Sequence, residues 1–321
     1  MPSTHIPLYR QIIKEAWKIT WHQKAMWLLG LFAFFIATGG ALEVFSRNLN
    51  WVFTPHVPFF WGGFEVGWNK DVSVWPLAIM LVLICFGLFA FVAFMSIRSF
   101  IALILATDKY KADDKIDLDK IWHAGEKKFV SVLGVVVLFK IIIFLASFLS
   151  AFPLWFIWTG STWQGWMWIY PAVFLLGVVI AVVSSFLMVL TSAYLTLKRN
   201  TFGKALKMAW NLFLNHWLVS LEMAVVIFFV NLLFGLISLA GMVIIAVPTF
   251  LFVVFGVFIL MPVLSNVAIF VGCLLAILLI LWIAGFLGAF HAVAWTLLFK
   301  KMEEGKAISK LHRLVDNLIG R

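Results

Sequence analysis

"GKALKMAWNLFLNHWLVSLE", residues 203–222, joins two kinds of chain in one stretch. It begins basic and amphipathic. By Trp217 it has become the start of a long apolar run, with one acid, Glu222, just inside. A helix lying in the membrane interface that hands the chain on to a span explains both halves. Its cations sit near headgroups and its apolar face sits toward the acyl boundary.

The arrangement recurs. "KAMWLLGL" (24–31), "KKFVSVLG" (127–134) and "NHWLVSLE" (215–222) each open an apolar run with an aromatic, and each follows a short amphipathic stretch that contains Trp. Trp122 to Phe129 and Trp210 to Trp217 share a spacing of seven. "EEGKAISKLHRL" (303–314) echoes "TFGKALKMAWNL" (201–212) without a following span. Self-similarity of this kind marks a repeat. The expected unit is interfacial helix, span, outer loop and long span, used three times over approximately 1–107, 108–198 and 199–300. A C-terminal amphipathic helix, 301–321, closes the chain, with Ile308, Leu311, Val315 and Leu318 on one face.

Composition agrees with a membrane solvent. Of 321 residues, 64% are hydrophobic and 12% charged, with mean hydropathy +1.08. Soluble domains average about 25% charged residues. The fold class is therefore all-α, a polytopic integral membrane protein with six transmembrane helices. They are read at about Ala25–Val44, Val74–Thr107, Phe129–Phe152, Trp168–Leu197, Trp217–Ala246 and Val267–Phe299. Lys and Arg preceding the first run give it the look of a signal peptide, but the same unit recurs internally, so no cleavage is expected. Cys85 and Cys273 sit in apolar runs and read as free buried thiols, with no disulfide or metal pattern.

Charge sets orientation. The N-terminus, 107–128, 198–207 and 300–321 hold 20 of the 24 Lys and Arg residues. The positive-inside rule puts these four segments and both termini in the cytoplasm. That requires an even number of crossings. "VPTFLFVVFGVFILMPVLSN" (247–266), uncharged and holding Pro248 and Pro262, is then expected as a re-entrant or buried hairpin on the outer side. Small residues at regular spacing are expected to bring helices together: Gly177, Ala181 and Ser185; Ala284, Gly288 and Ala292; and Gly87, Ala90, Ala93, Ser96 and Ser99.

Four ionisable residues lie inside spans: Arg98, Lys140, Glu222 and His291. A charge there is expensive and needs a partner or water. Counted from the helix ends all four fall at similar depth, roughly 8–17 Å in at ~1.5 Å per residue. A shared polar cluster is the expectation. Its structural form is an Arg98–Glu222 pair with a snorkelling Lys140 and a hydrogen-bonded His291. Its functional form is a polar cavity for an anion, a lipid phosphate or a proton.

The remaining signals are weaker. "WFIWTGSTWQGWMW" (155–168) and "WVFTPHVPFFWGGFEVGW" (51–68) read as interfacial Trp belts. His56, Glu65 and Asp71 have no diagnostic metal spacing. "DKYKADDKIDLDK" (108–120) reads as a solvated linker with Asp114 or Asp117 as a helix cap. No phosphate loop, HExxH, GxSxG or dinucleotide fingerprint is present.

"AWKITWHQKAMWLLGL" and "ALKMAWNLFLNHWLVSL" resemble a broad group of bacterial six-helix inner-membrane proteins. The group includes the membrane domain attached to some glycerophosphodiester phosphodiesterases. The resemblance implies a bacterial cytoplasmic membrane. It carries over no catalytic residue, because the chain has no soluble domain for that chemistry. The functional expectation is a non-enzymatic scaffold, accessory or envelope-homeostasis protein without cofactor. Its partners are the bilayer, anionic headgroups and a membrane protein or second copy, and not nucleic acid. A carrier of a small anion or lipid is the alternative, and an intramembrane enzyme comes third.

Overall fold

The computed structural model describes residues 8–37, 74–110, 118–158, 165–198 and 200–305. Among them the chain forms eight helices and no strand: α1 (Leu8–His22), α2 (Ala25–Ala37), α3 (Val74–Lys109), α4 (Leu118–Glu126), α5 (Phe129–Trp158), α6 (Gly165–Leu197), α7 (Phe202–Phe258) and α8 (Pro262–Glu303). Five, α3 and α5 to α8, are long and apolar enough to cross a membrane, and α2 is a shorter apolar helix. The protein is thus an all-α polytopic membrane protein. The expected His56, Glu65 and Asp71 loop, the Asp114 and Asp117 linker and most of the C-terminal amphipathic helix lie outside the described residues.

Two of the amphipathic pieces are separate helices. α1 buries Tyr9, Ile12, Ala16 and Ile19 and leaves Arg10, Lys14 and Lys18 exposed. α4 buries Ile121 against the bundle. The third is continuous with its span: α7 changes direction at His216, whose backbone is non-helical (φ −132°, ψ 27°). The break falls one residue before Trp217.

α5 and α6 form one antiparallel hairpin, with Gly177 against Ala146 and Ser150. α7 and α8 form another, paired from Asn231–His291 through Gly241–Leu279 and Thr249–Gly272 to Gly256–Ser265. Contacts at the basic end align α3 and α6 with α8. Lys300 bonds Asp108, Lys198 lies 3.0 Å from Glu303, and Tyr194 meets Phe299 edge-on. All three run toward this end.

The first apolar helix departs from the expected repeat. Trp27 meets Trp282, Gly30 meets Gly285 and Ala289, Phe34 meets Gly288, and Ile36 shares a cavity with Ala292 and Trp295. The numbers rise together, so α2 runs alongside α8 in the same direction. α5 and α7 run the opposite way. The crossing is close because glycine faces glycine: a Cβ on Gly285 would sit 2.7 Å from the Trp27 carbonyl oxygen, and one on Gly288 would collide with the Gly30 carbonyl. Trp17, Trp21, Trp27 and Trp282 form a chain of ring contacts from α1 across this joint at centroid distances of 5.7–5.9 Å, stacked between Trp17 and Trp21 and edge-on between Trp27 and Trp282, with Phe286 against the first three.

The core lies toward the basic end, and the helices splay away from it. Before Ile283, α8 buries only Ser265 and Gly272; from Ile283 to Met302 it buries sixteen residues. In α3 every residue from Ile79 to Phe91 is exposed, while Ile97 and Phe100–Ile104 are buried. Several buried hydroxyls are satisfied within their own helices: Ser96 donates to Val92 O, Thr107 to Leu103 O, Ser192 to Met188 O and Thr296 to Ala292 O, whereas those of Ser99, Thr191 and Thr196 have no hydrogen-bond partner. Bonding within the helix is the low-cost way to hold Ser and Thr in an apolar bundle.

Segment 247–266, expected as a re-entrant or buried hairpin and not a further span, is a hairpin tip whose residues are mostly exposed. α7 continues through Pro248 to Phe258, the chain turns at Ile259–Met261, and Pro262 opens α8. Leu260 takes a positive φ of 58° there, and Met261 N–H closes the turn on Gly256 O at 2.9 Å. Phe258 and Leu260 are more than 80% exposed. The segment is the tip of the longest hairpin, where no third element covers it. Pro248 lies ten residues before the end of α7 and does not stop it; membrane helices tolerate such a residue where neighbouring groups satisfy the carbonyl it frees. Cys85 and Cys273 are also exposed, so these thiols are free but not buried. The small-residue stripe on α3 divides likewise: Ser96 and Ser99 are buried, Ala90 is exposed, and Gly87 faces open space.

Candidate functional site

Of the four intramembrane candidates, Arg98 is held by both hydrogen bonds and ring contacts. Its Nη2 donates to Glu126 Oε1 at 2.8 Å and to the Trp122 carbonyl at 3.2 Å. Its guanidinium lies 4.3 Å from the Trp122 ring centroid and 5.5 Å from that of Phe94. A planar, permanently charged group suits this combination of fork and stacking surface. Gly125 lets α4 approach, since a Cβ there would already press on Ile101 at 3.2 Å. The hydrogen bond from Arg98 holds the Glu126 carboxyl below its usual value of 4.5, against the opposing effect of desolvation. His123 Nδ1 lies 3.3 Å from the same carboxylate. Arg98 therefore clamps the short helix α4 onto α3.

That assignment corrects the expected Arg98–Glu222 pair. Depth along a helix says nothing about which way a side chain faces. Arg98 faces α4, whereas Glu222 sits half-buried on α7, six residues past the His216 kink, with interactions of its own.

Lys140 and His291 do come together. Both line a cavity of about 130 Å³ where α2, α3, α5, α6 and α8 meet. Ser185 is the third polar residue of the lining; the rest is aliphatic, Met or aromatic, including Ile36, Phe100 and Trp295. His291 is buried, and its Nε2 lies 2.8 Å from Asn231 Oδ1 on α7. With an amide oxygen as acceptor, Nε2 carries the proton and the ring is fixed in one orientation. Ser185 spends its proton on Ala181 O at 2.7 Å, which leaves its oxygen to accept. Ile36, Phe100 and His291 are buried, whereas Lys140, Ser185, Val189 and Trp295 are half-buried and form the rim.

Sequence reasoning missed Asn231 and Glu126. Asn231 was visible as the only amide side chain between Glu222 and Asn266. Glu126 closes an amphipathic helix one turn beyond Trp122, within reach of a cation on the neighbouring helix. Among the described residues no grouping of three or more His, Cys, Asp or Glu side chains has the arrangement to hold a metal ion. No family model matches the chain, and neither a curated protein nor a solved structure shows significant similarity to it.

Proposed function

We propose that the chain is a non-enzymatic membrane scaffold or accessory protein of a bacterial cytoplasmic membrane, with its C-terminus and the basic segments 107–128, 198–207 and 300–321 in the cytoplasm. The observation that carries this reading is how its polar groups are used. Arg98 fastens an interfacial helix to a long one, and Asn231 with His291 fastens α7 to α8. The amphipathic helices supply cations at one face of the membrane, where anionic headgroups are concentrated. Beyond the core, long apolar helices offer lipid or a neighbouring membrane protein a broad surface, since only 6–39% of the most apolar 18-residue stretch of each is buried within the protein. The second and third copies of the repeat, α4–α6 and α7–α8, belong to this proposal; the first does not, because α2 and α3 both run toward the basic end.

Reconstitution in phosphatidylethanolamine–phosphatidylglycerol vesicles tests it. The purified protein is expected to add nothing to phosphate or chloride flux, or to lipid scrambling, over protein-free vesicles. Saturable flux or scrambling that Lys140→Ala abolishes would replace the scaffold with the carrier reading.

A further inference from the structure

Lys140, Ser185 and His291 are the polar residues around a cavity of about 130 Å³, and two of the three present acceptors to it. Asn231 holds His291 Nε2 at 2.8 Å from α7, and α7 is not among the cavity's walls. In a neutral ring with its proton on Nε2, Nδ1 is an acceptor, and it belongs to the part of the ring left to the cavity. Ser185 donates its proton to Ala181 O at 2.7 Å and keeps its lone pairs. Lys140 is already engaged within the protein and stands at the half-buried rim. The rest of the lining, which includes Ile36, Phe100 and Ile143, is aliphatic, Met or aromatic.

We propose that the cavity binds a neutral lipid through free hydroxyls: the glyceryl head of a monoacylglycerol or diacylglycerol. Two acceptors call for two donors. Each hydroxyl supplies one, and a monoacylglycerol head carries two on adjacent carbons. An oxyanion would set its lone pairs against those of His291 Nδ1 and Ser185 Oγ. An amine would bring a second cation toward Lys140. A neutral hydroxyl meets neither obstacle, and it does not depend on Lys140 as a partner. Size agrees with chemistry. An apolar cavity of about 150 Å³ holds benzene, about six non-hydrogen atoms, and a glyceryl head has the same number. Water can serve either acceptor but leaves the apolar lining uncovered. The first carbons of an acyl chain cover it, and the half-buried rim gives the rest of the chain a way out among the splayed helices.

The proposal is independent of the scaffold reading, because a site occupied by one resident lipid needs no transport. Equilibrium binding of tritiated monooleoylglycerol to the full-length protein tests it, in lauryldimethylamine oxide, a detergent without a hydroxyl. Wild type is expected to bind one copy saturably. Unlabelled monooleoylglycerol and dioleoylglycerol are expected to displace it. Methyl oleate and oleate, which have the same chain and no alcohol, are expected to compete at least tenfold less well. Ser185→Ala removes one acceptor whose hydroxyl bonds its own helix, and is expected to weaken binding about fivefold. Ala292→Met fills the cavity and is expected to abolish saturable binding; Ser185→Ala carries the test if Ala292→Met does not fold. Lys24→Gln, a change away from the cavity, is expected to bind as wild type does. Displacement by monooleoylglycerol and not by dioleoylglycerol supports the site and identifies the adjacent pair of hydroxyls as what it reads. No saturable binding by wild type, competition by methyl oleate or oleate at the potency of monooleoylglycerol, or undiminished binding by both cavity variants overturns the proposal.

Discussion

Pro262–Trp282 and Ile283–Met302 are two halves of one helix, similar in length and both strongly apolar until the last few residues. The second half is packed on nearly every side; the first touches little besides α7. In water the first half would be untenable. In a bilayer the two are equally at home, since lipid tails are as apolar as leucine and packing is decided by fit. What separates the halves is glycine opposite glycine. At the packed end Gly30 and Gly288 bring two backbones together, whereas Gly87, on the splayed part of α3, has nothing near it.

The strongest way to break this contrast is to add a single methyl to the packed end. Gly30→Ala would place a Cβ 2.5 Å from Ala289 N, and the backbone there has no flexible side chain to yield. A loss of about 3 kcal/mol is expected, the upper range for overpacking, read by unfolding in mixed detergent. A melting curve within a degree of wild type would remove the glycine joint from the account.

The next largest effect is expected at the join between the halves. Asn231→Leu takes away the acceptor for a buried ring N–H. An unsatisfied buried donor costs about 1–3 kcal/mol. The loss should shrink in Asn231→Leu/His291→Leu, which removes both partners; equal losses in the single and double variants would show that the bond does not couple α7 to α8.

At the edge of the packed half, α4 should depend on pH. Glu126 has a folded pKa below its ordinary 4.5, so its bond to Arg98 helps hold α4 at pH values above 4.5 and is lost as pH falls through the lowered value. Hydrogen exchange across 118–126, corrected for the intrinsic pH dependence, should show protection falling over that interval in wild type and flat in Glu126→Gln. Parallel profiles would mean that the carboxylate does not hold the helix.

The smallest effect is expected in the splayed half, with its sign reversed. Gly87→Ala meets no neighbour and removes a flexible residue from a helix, for a gain of about 0.5–1 kcal/mol. Cys85 and Cys273 sharpen the same point, both being exposed on splayed segments. They are expected to resist both permeant and impermeant maleimides in the bilayer, where apolar surroundings suppress the thiolate, and to react once the protein is unfolded in SDS. Labelling by the impermeant reagent would put water where lipid belongs.

Much of the architecture was legible in the sequence. Hydropathy located the long helices, and the switch from amphipathic to apolar at Trp217 fell beside the bend at His216. Other features were hidden for a common reason. In a soluble protein, polar residues mark the outward face of a helix; here Ile79–Phe91 and Ile97–Ile104 read alike, although one is exposed and the other largely buried. Without that mark, depth could be counted but direction around the helix could not. Hence, of the four residues expected in one cluster, Lys140 and His291 line a common cavity, while Arg98 meets Glu126 and not Glu222. The direction of α2 was hidden too, because hydropathy has no arrow; only the order of contacts along α8 gives it one.

The turn at Ile259–Met261 has a consequence for how the protein is made. From Met223 to Phe299 the chain has no Asp, Glu, Lys or Arg, and its only ionisable groups are His291 and Cys273. Its two helices are zipped by Gly241, Gly256 and Gly272 up to the tip. Nothing at the leading end resists entry into lipid, and the lysines at the trailing end resist following. α7 and α8 are thus suited to enter the bilayer together as a preformed pair, tip first, rather than as two segments threaded in turn.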